Sequence, residues 1–281
     1  MADPLAAFCE VNQERFDALI ENLGSYQPQA VDLVRIRRWV RQFDAADYDL
    51  AIRVVENVVF YDLTRLQRLL RTLHREIRTL LAEEGYRQLE NLIFVPIGVT
   101  AESGQVIAAM YRNINRLQQS NARFAQVVEL QGVLYNAQTA GEKVALVFLD
   151  DFIGTGLTVT DFWKDVLSQH VYPTQPMFLG TAVACQDGIN KIEAETPLRV
   201  IAVHLVQNMH LLPHSDRFSA PEKQQIELYC RQVGNPPLGI GGLGLMLAFA
   251  HGCPNNVLAI LRGSKAQRHW KGILPRFDDL P

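Results

Sequence analysis

One run of residues, VALVFLDDFIGTGLTVTDFW from Val144 to Trp163, constrains the fold of this chain more than any other part. The residues from Val144 to Leu149 are all apolar, and a run of this length predicts a strand buried on both faces of a parallel sheet. Asp150 and Asp151 follow directly, at the carboxyl edge where open α/β sheets bind ligands. The sequence therefore predicts a ligand site that contains these two carboxylates, which we call the acidic pair.

A turn of small residues follows the acidic pair and leads into a helix. Gly154, Thr155 and Gly156 leave room for backbone N–H groups to converge on an anion, and Thr158 adds a hydroxyl. The helix is predicted by apolar residues at helical spacing: Val159, Phe162, Trp163, Val166 and Leu167. Because a helix N-terminus carries partial positive charge, the turn is typical of a phosphate site. An ordinary strand-to-helix corner with a solvated acidic pair is the alternative.

Two familiar phosphate motifs do not fit this turn. A Walker loop needs Lys where Leu157 stands, and a dinucleotide-binding fingerprint needs a third Gly where Val159 stands. The segment LDDFIGTGLT instead resembles the phosphoribosyl-pyrophosphate loop of type I phosphoribosyltransferases.

The resemblance extends along the chain. It includes RRWVRQFDAADYDLAIRVVENVVFY, SGQVIAAMYRN, PNNVLAIL and the closing Trp and LPRF segments. Together these pieces are similar to a phosphoribosyltransferase-like family of bacterial conflict systems, whose members are associated, as effectors, with retron and other reverse transcriptases and with anti-phage modules. A reverse transcriptase or a complex that contains nucleic acid is the partner that this resemblance implies.

The resemblance also implies roles for residues in the run from Val144 to Trp163. Chemistry would occur at C1′ of phosphoribosyl pyrophosphate or a related ribose phosphate. The segment from Gly154 to Thr158 would hold the 5′-phosphate, while Asp150 and Asp151 would act as the catalytic pair and accept hydrogen bonds from the ribose hydroxyls. Mg²⁺ would arrive with the pyrophosphate, so we expect no dedicated metal site in the protein.

A second phosphate contact is expected after the first strand of the α/β core, between Ile97 and Gly104. Ser103 and Gly104 could supply N–H donors at a helix start. The loop contains no Lys or Arg, and Glu102 would repel an anion, although Arg112 and Arg116 on the next helix could compensate. An ordinary capped helix is equally consistent with the sequence.

The segment before the α/β core contains a strongly amphipathic helix. Leu66, Leu69, Leu70, Leu73, Ile77, Leu80 and Leu81 fall on one side. The opposite side carries the arginine stripe: Arg65, Arg68, Arg71, Arg75 and Arg78. The stripe is either a solvated face or a binding surface for RNA, DNA or an acidic partner.

The order of elements predicts an α/β fold with a doubly wound parallel sheet of the type I phosphoribosyltransferase kind. Further strands are predicted at LIFVPIG, at Val127 to Leu134, at MFLGTAVAC and at LRVIAVHLV. We expect a helical N-terminal region over residues 1–90, the core over 91–218, and a C-terminal elaboration over 219–281.

The C-terminal region offers weaker signals. Asn255, Asn256, Trp270 and Arg276 are candidates for base or partner recognition, with Asn turn chemistry and a Trp anchor as the alternative. The glycine-rich segment NPPLGIGGLG predicts either a mobile lid or a closely packed loop.

Composition bounds the class of protein. The formal net charge of −3 argues against a wholesale nucleic-acid coat, and the four cysteines lack metal-ligand or redox spacing. We expect no signal peptide and no membrane span, and hence a cytoplasmic protein. Three functions remain open: an enzyme that transfers or hydrolyses a phosphoribosyl group, a degenerate module that senses a ribose phosphate, and an interaction subunit.

Overall fold

A computed structural model describes residues 4–98, 103–172, 174–263 and 270–276. The chain forms two compact units. Arg65–Val206 makes up one of them, which we call the core unit, and Met1–Thr64 together with Gln207–Pro281 makes up the other, the terminal unit.

The described residues form helices and strands with the following bounds. The strands are β1 Val59–Tyr61, β2 Leu92–Pro96, β3 Arg123–Phe124, β4 Ala145–Ile153, β5 Met177–Ala184, β6 Arg199–Leu205 and β7 Leu247–Phe249. The helices are α1 Pro4–Val11, α2 Gln13–Leu23, α3 Leu33–Val40, α4 Tyr48–Glu56, α5 Leu63–Glu83, α6 Ser103–Ile114, α7 Leu130–Thr139, α8 Leu157–Asp165, α9 Gln186–Glu195, α10 Ala220–Val233 and α11 Ala259–Arg262.

The core unit is built on a parallel sheet with strand order β3-β2-β4-β5-β6. Leu134 of α7, Val159 of α8 and Ile192 of α9 join Phe148 of β4 in one buried cluster, so these helices cover one face. Helix α5 covers the other face, where Ile77 approaches Gly180 of β5. Helices therefore cover both faces of the sheet, and the predicted doubly wound α/β fold is confirmed.

One predicted strand is wrong. The residues from Val127 to Leu134 form a 3-10 turn and the start of α7 rather than a strand. Val127, Leu130 and Leu134 are buried, and Ala137 continues the same helical spacing in α7, so the branched residues fit one apolar stripe. The edge strand is instead the short β3, which pairs with β2.

The terminal unit joins distant parts of the chain. Strand β1 pairs in parallel with β7, with Phe60 opposite Ala248. Aromatic rings pack in the same unit: Phe43 lies 4.7 Å from Trp39 and 5.0 Å from Trp270, measured between ring centroids. β1 interrupts a segment in which the sequence predicts helices throughout. Ser219 and Glu222 form a capping box at the start of α10.

Candidate functional site

Strand β4 is longer than its apolar run predicts, so the acidic pair lies inside the strand rather than beyond its end. The ladder with β2 stops at Leu149, whereas the ladder with β5 continues through Asp150 opposite Thr181 to Ile153. Charged residues are tolerated here because the neighbouring strand on one side has already ended. The acidic pair still lies near the carboxyl edge of the sheet, where parallel sheets bind ligands.

The regular alternation of side chains reverses at the acidic pair. Phe148 and Ile153 belong to the same buried cluster although they are five positions apart, and strict alternation would place them on opposite faces. Leu179 and Ala184 show the same reversal in β5. The Thr181 hydroxyl donates to the Val183 carbonyl oxygen at 3.1 Å, within this irregular stretch. Irregular strand geometry of this kind re-aims side chains next to functional sites.

Asp150 and Asp151 are buried, and each residue is 8% exposed. The backbone N–H of Asp151 donates to Oδ1 of Asp150 at 2.9 Å, which fixes the orientation of that carboxylate. An ionised carboxylate accepts hydrogen bonds and does not donate them, so the pair suits ligands that carry O–H or N–H donors.

The turn after β4 packs against the start of α9 through backbone contacts. Gly156 has φ 76°, and a Cβ there would lie 2.7 Å from the carbonyl oxygen of Gly188. A Cβ on Gly188 would in turn lie 2.2 Å from the carbonyl oxygen of Gly154. The sequence explains Gly156 by ligand approach alone, whereas the structure shows that close backbone packing requires glycine at both Gly156 and Gly188.

The first turn of α8 presents backbone donors. The first intrahelical bond runs from the Thr160 N–H to the Gly156 carbonyl at 3.0 Å, so the N–H groups of Thr158 and Val159 have no acceptor within the helix. The Leu157 N–H lies 3.4 Å from Oγ1 of Thr155. The Thr158 side chain is exposed. These N–H groups and the helix dipole make the turn suited to an anion.

The second expected phosphate contact lies partly outside the described residues, which omit 99–102. Ser103 begins α6 as predicted. A Cβ on Gly104 would lie 2.0 Å from the carbonyl oxygen of Ile97, so glycine is needed here for backbone packing. The Arg112 guanidinium lies over the Phe124 ring, 5.3 Å from its centroid. The packing of Gly104 favours the structural interpretation of this corner.

The arginine stripe lies on α5 opposite its buried leucines, as its periodicity predicts. Arg68, Arg71 and Arg75 are exposed, whereas Arg65 and Arg78 are half-buried. Arg78 donates from Nη2 to the carbonyl oxygen of Arg87 at 2.6 Å. The exposure expected of the whole stripe therefore holds for its three central members.

Among the C-terminal candidates, Trp270 and Asn256 have structural roles. The indole of Trp270, 4% exposed, donates to the Ile260 carbonyl at 3.1 Å, and Trp39 donates to the same oxygen at 2.8 Å. The Asn256 side chain donates to the Ile240 carbonyl at 2.6 Å. Asn255 and Arg276 are instead joined by a side-chain hydrogen bond near the surface.

Cysteine chemistry does not contribute to the site. Cys185 directly follows β5, and its N–H donates to the carbonyl oxygen of Ile153, at the end of β4, at 2.8 Å. Burial, with a smaller effect of Asp187, raises the pKa of the Cys185 thiol to about 12. The thiol is therefore protonated at neutral pH and is a poor nucleophile.

The site also contains residues that the sequence does not single out. Thr181 lies opposite Asp150 across the β4–β5 ladder, and the backbone of Gly188 contacts the turn after β4. Neither belongs to a motif, because each acts through a strand register or a backbone contact between distant segments.

A doubly wound parallel sheet with an acidic pair and a glycine turn opening a helix is the arrangement of phosphoribosyltransferase-like proteins. The PRTase-CE family model matches residues 36–276, and the chain belongs to the PRTase-CE family.

Two solved structures are similar to this chain at low identity. Orotate phosphoribosyltransferase from Aeropyrum pernix aligns at 19% identity and a TM-score of 0.28, over 47% of this chain and 71% of that one. The AQ2163 protein from Aquifex aeolicus aligns at 15% identity and a TM-score of 0.33, over 61% and 82%. No match was found among curated proteins. The family assignment rests on the family match.

None of the helices in the part of the chain that the structure describes combines the length and the apolar character needed to cross a bilayer.

Proposed function

We propose that the turn from Gly154 to Thr158 binds the 5′-phosphate of phosphoribosyl pyrophosphate or a related ribose phosphate, and that the acidic pair binds its ribose. The observation that supports this most directly is the position of two buried carboxylates directly before the open first turn of α8. A ribose 5-phosphate has an anion at one end and two vicinal hydroxyls at the other. The site offers N–H donors for the anion and charged acceptors for the hydroxyls.

The proposed reaction is displacement at C1′. The bond between C1′ and a pyrophosphate oxygen breaks, and its electron pair leaves with pyrophosphate. An acceptor nitrogen or a water oxygen forms the new bond to C1′ and releases its proton to solvent. Asp150 and Asp151 would hold the 2′ and 3′ hydroxyls and favour the positive charge that develops on the ribose ring.

In this proposal Mg²⁺ would bind to the pyrophosphate of the substrate rather than to a dedicated site in the protein. Among the described residues, no group of three or more His, Cys, Asp or Glu side chains is arranged to hold a metal. A hard cation of this kind is commonly bound through substrate phosphates, where it would supply charge neutralisation to the leaving group.

The biological setting is a further part of the proposal. The chain would act as an effector in a bacterial anti-phage system, in the cytoplasm and beside a reverse transcriptase or another complex that contains nucleic acid. Its resemblance to conflict-system proteins supports this setting. Sequencing of the genes around it tests the idea, since a neighbouring reverse-transcriptase gene is expected.

A second function, sensing without catalysis, is favoured by one feature. The segment from Ile97 to Gly104 contains Glu102 but no Lys or Arg, so the place where pyrophosphate would be held lacks a cation. In this case ribose 5-phosphate itself would be the ligand.

Calorimetry with phosphoribosyl pyrophosphate and Mg²⁺, and separately with ribose 5-phosphate, tests the proposal. Replacing Asp150→Asn and Asp151→Asn together should raise Kd at least tenfold, because hydrogen bonds to charged groups contribute roughly 1.5–3 kcal/mol each. Asp161→Asn removes an exposed carboxylate from α8 and should leave Kd unchanged. Circular dichroism checks that each variant is folded.

The outcomes separate the two functions. Turnover of phosphoribosyl pyrophosphate that is lost in the double variant supports the enzyme, whereas tight binding of ribose 5-phosphate without turnover supports the sensor. If the intact chain binds neither ligand, the proposed site is wrong.

A further inference from the structure

Helix α5 has a charge opposite to that of the chain as a whole. Between Leu63 and Glu83 it contains five arginines and two glutamates, whereas the chain has a formal net charge of −3. Three of these arginines, Arg68, Arg71 and Arg75, are exposed, and we call them the central arginines. Positive charge is therefore concentrated on one exposed part of a slightly acidic protein.

The central arginines lie on one side of α5. At about 3.6 residues per turn, they fall together with the exposed Thr79 within an arc of roughly 80°. The buried apolar residues of the helix occupy the opposite side, where Ile77 approaches Gly180 of β5. The arginines therefore extend from a helix that is packed firmly on the sheet.

No acidic residue compensates these charges along the helix. Side chains three and four positions apart are neighbours on a helix surface. For the central arginines, those positions hold only Arg, Thr, Gln or His. Arg71 and Arg75 are themselves four positions apart, and like charges at this spacing repel each other. The helix therefore maintains a row of positive charges against its own electrostatic cost.

The rest of the described chain does not compensate them either. The central arginines have no carboxylate partner among the described residues, which contrasts with arginines elsewhere in the protein. Those that do pair with a carboxylate include Arg53 with Glu222, Arg123 with Glu142, Arg199 with Glu84 and Arg231 with Glu227. A bound polyanion would supply the negative charge that the described part of the chain does not bring to this face.

We propose that Arg68, Arg71 and Arg75 form a docking surface for the phosphate backbone of a nucleic-acid duplex. Arg68 and Arg75 are seven positions apart, which corresponds to about 10 Å along the helix axis. A duplex carries about one negative charge per 1.7 Å of its own axis, so several phosphates lie within that length. Each guanidinium can bind phosphate oxygens through its fork, and the Thr79 hydroxyl is a further donor.

The composition of the face favours a duplex over an acidic protein or a single strand. Protein interfaces are anchored by aromatic and large apolar side chains, and single strands stack their bases on aromatic rings. Helix α5 contains no Phe, Tyr or Trp. Its exposed large apolar residue is Leu63, at the first position of the helix and away from the central arginines. Binding to a duplex backbone requires neither kind of anchor.

The proposal does not rest on the phosphoribosyl chemistry. The central arginines lie on the exposed side of α5, whereas the acidic pair is buried in β4. The Asp150→Asn/Asp151→Asn variant should therefore bind a duplex as the intact chain does, even if it no longer binds a ribose phosphate.

Fluorescence anisotropy with a labelled duplex oligonucleotide and the full chain tests the proposal. Replacing Arg68→Gln, Arg71→Gln and Arg75→Gln together should raise Kd at least about tenfold at low salt. The slope of log K against log salt should become shallower by roughly one for each phosphate contact that is lost. Gln has nearly the helix propensity of Arg, and the variant loses like-charge repulsion, so α5 should remain folded. Circular dichroism checks this.

A second triple variant controls for total charge. Lys164→Gln, Lys191→Gln and Arg231→Gln together remove the same number of positive charges. In the intact chain the two lysines pair with Glu195, and Arg231 pairs with Glu227. This control should change Kd less than about threefold and should keep the salt slope, because the lost charges already have partners.

Two further probes distinguish the partner: a single-stranded oligonucleotide of the same length, and polyglutamate. Both should bind more weakly than the duplex. Tighter binding of either probe would assign the face to a different partner and overturn the proposal. It would also be overturned if the intact chain does not bind the duplex at low salt, or if the triple arginine variant, once shown to be folded, binds as tightly as the charge control.

Discussion

Gly156 and Gly188 meet backbone to backbone: a Cβ on Gly156 would lie 2.7 Å from the Gly188 carbonyl oxygen. The contact joins the turn after β4 to the first turn of α9. Because no side chain separates the two segments, the position of the candidate phosphate turn is set by the packing of main chain. Substitution at either glycine should therefore affect folding as well as binding.

Gly156→Ala should destabilise the protein by about 2–4 kcal/mol, because the left-handed conformation costs about 1 kcal/mol and the new methyl group displaces α9. Gly132→Ala is a matched control: Gly132 lies in α7, and its Cβ would meet no atom within 4 Å. That change should stabilise the protein by about 0.5–1 kcal/mol. Urea unfolding measures both, and equal midpoints for the two variants would contradict the packing argument.

Thr181 should act as a positioning residue for the acidic pair. Thr181→Val keeps the shape but removes the hydroxyl that donates to Val183, so the irregular stretch opposite Asp150 should loosen. We expect a loss of about 0.5–1.5 kcal/mol in stability and faster hydrogen exchange at the Asp151 amide. Thr181→Ser keeps the donor and should restore slow exchange. Slow exchange in the Val variant would show that the hydroxyl has no such role.

The stability of the core unit should fall in mild acid because of His74. Burial, with a smaller effect of Arg78, lowers the pKa of His74 from 6.5 to about 4, and its Nδ1 lies 2.7 Å from the Tyr111 hydroxyl. Between these pH values the unfolded chain binds the proton more readily, so the free energy of unfolding falls as pH falls from 6.5 to 4.

The size of this effect should be on the order of 1–2 kcal/mol after allowance for partial exposure. Urea unfolding across this pH range measures it. His74→Gln should reduce the slope, and His214→Gln, at an exposed position, should keep it. An identical slope in wild type and His74→Gln would place the acid sensitivity elsewhere.

The three exposed arginines of the stripe should contribute to binding of polyanions. Arg68→Glu and Arg75→Glu should each elute from heparin at lower salt than wild type, since both lie opposite the buried leucines of α5. Arg37→Glu reverses an exposed charge on α3 and serves as the control. If all three variants elute together, the stripe is a solvated face.

The sequence predicts the organising strand, the acidic pair and the helix that follows, because each depends on residues close together in the chain. It predicts the end of β4 wrongly, since hydrogen bonding to β5 carries the strand past Leu149 to Ile153. It also predicts a strand at Val127 to Leu134, where branched residues occupy one stripe of a helix. In both cases the apolar residues alone do not show which other segment of the chain they pair with or pack against.

What the sequence determined by itself was the α/β class, the location of the candidate site between β4 and α8, and the two faces of α5. Apolar periodicity, turn residues and charge are local properties, and each can be read without knowing the path of the chain. The tertiary structure decided that β1 pairs with β7, that Thr181 lies opposite Asp150, and that the backbone of Gly188 contacts the turn after β4. Those relationships join segments far apart in sequence, because backbone hydrogen bonds and close packing depend on where the whole chain places each segment.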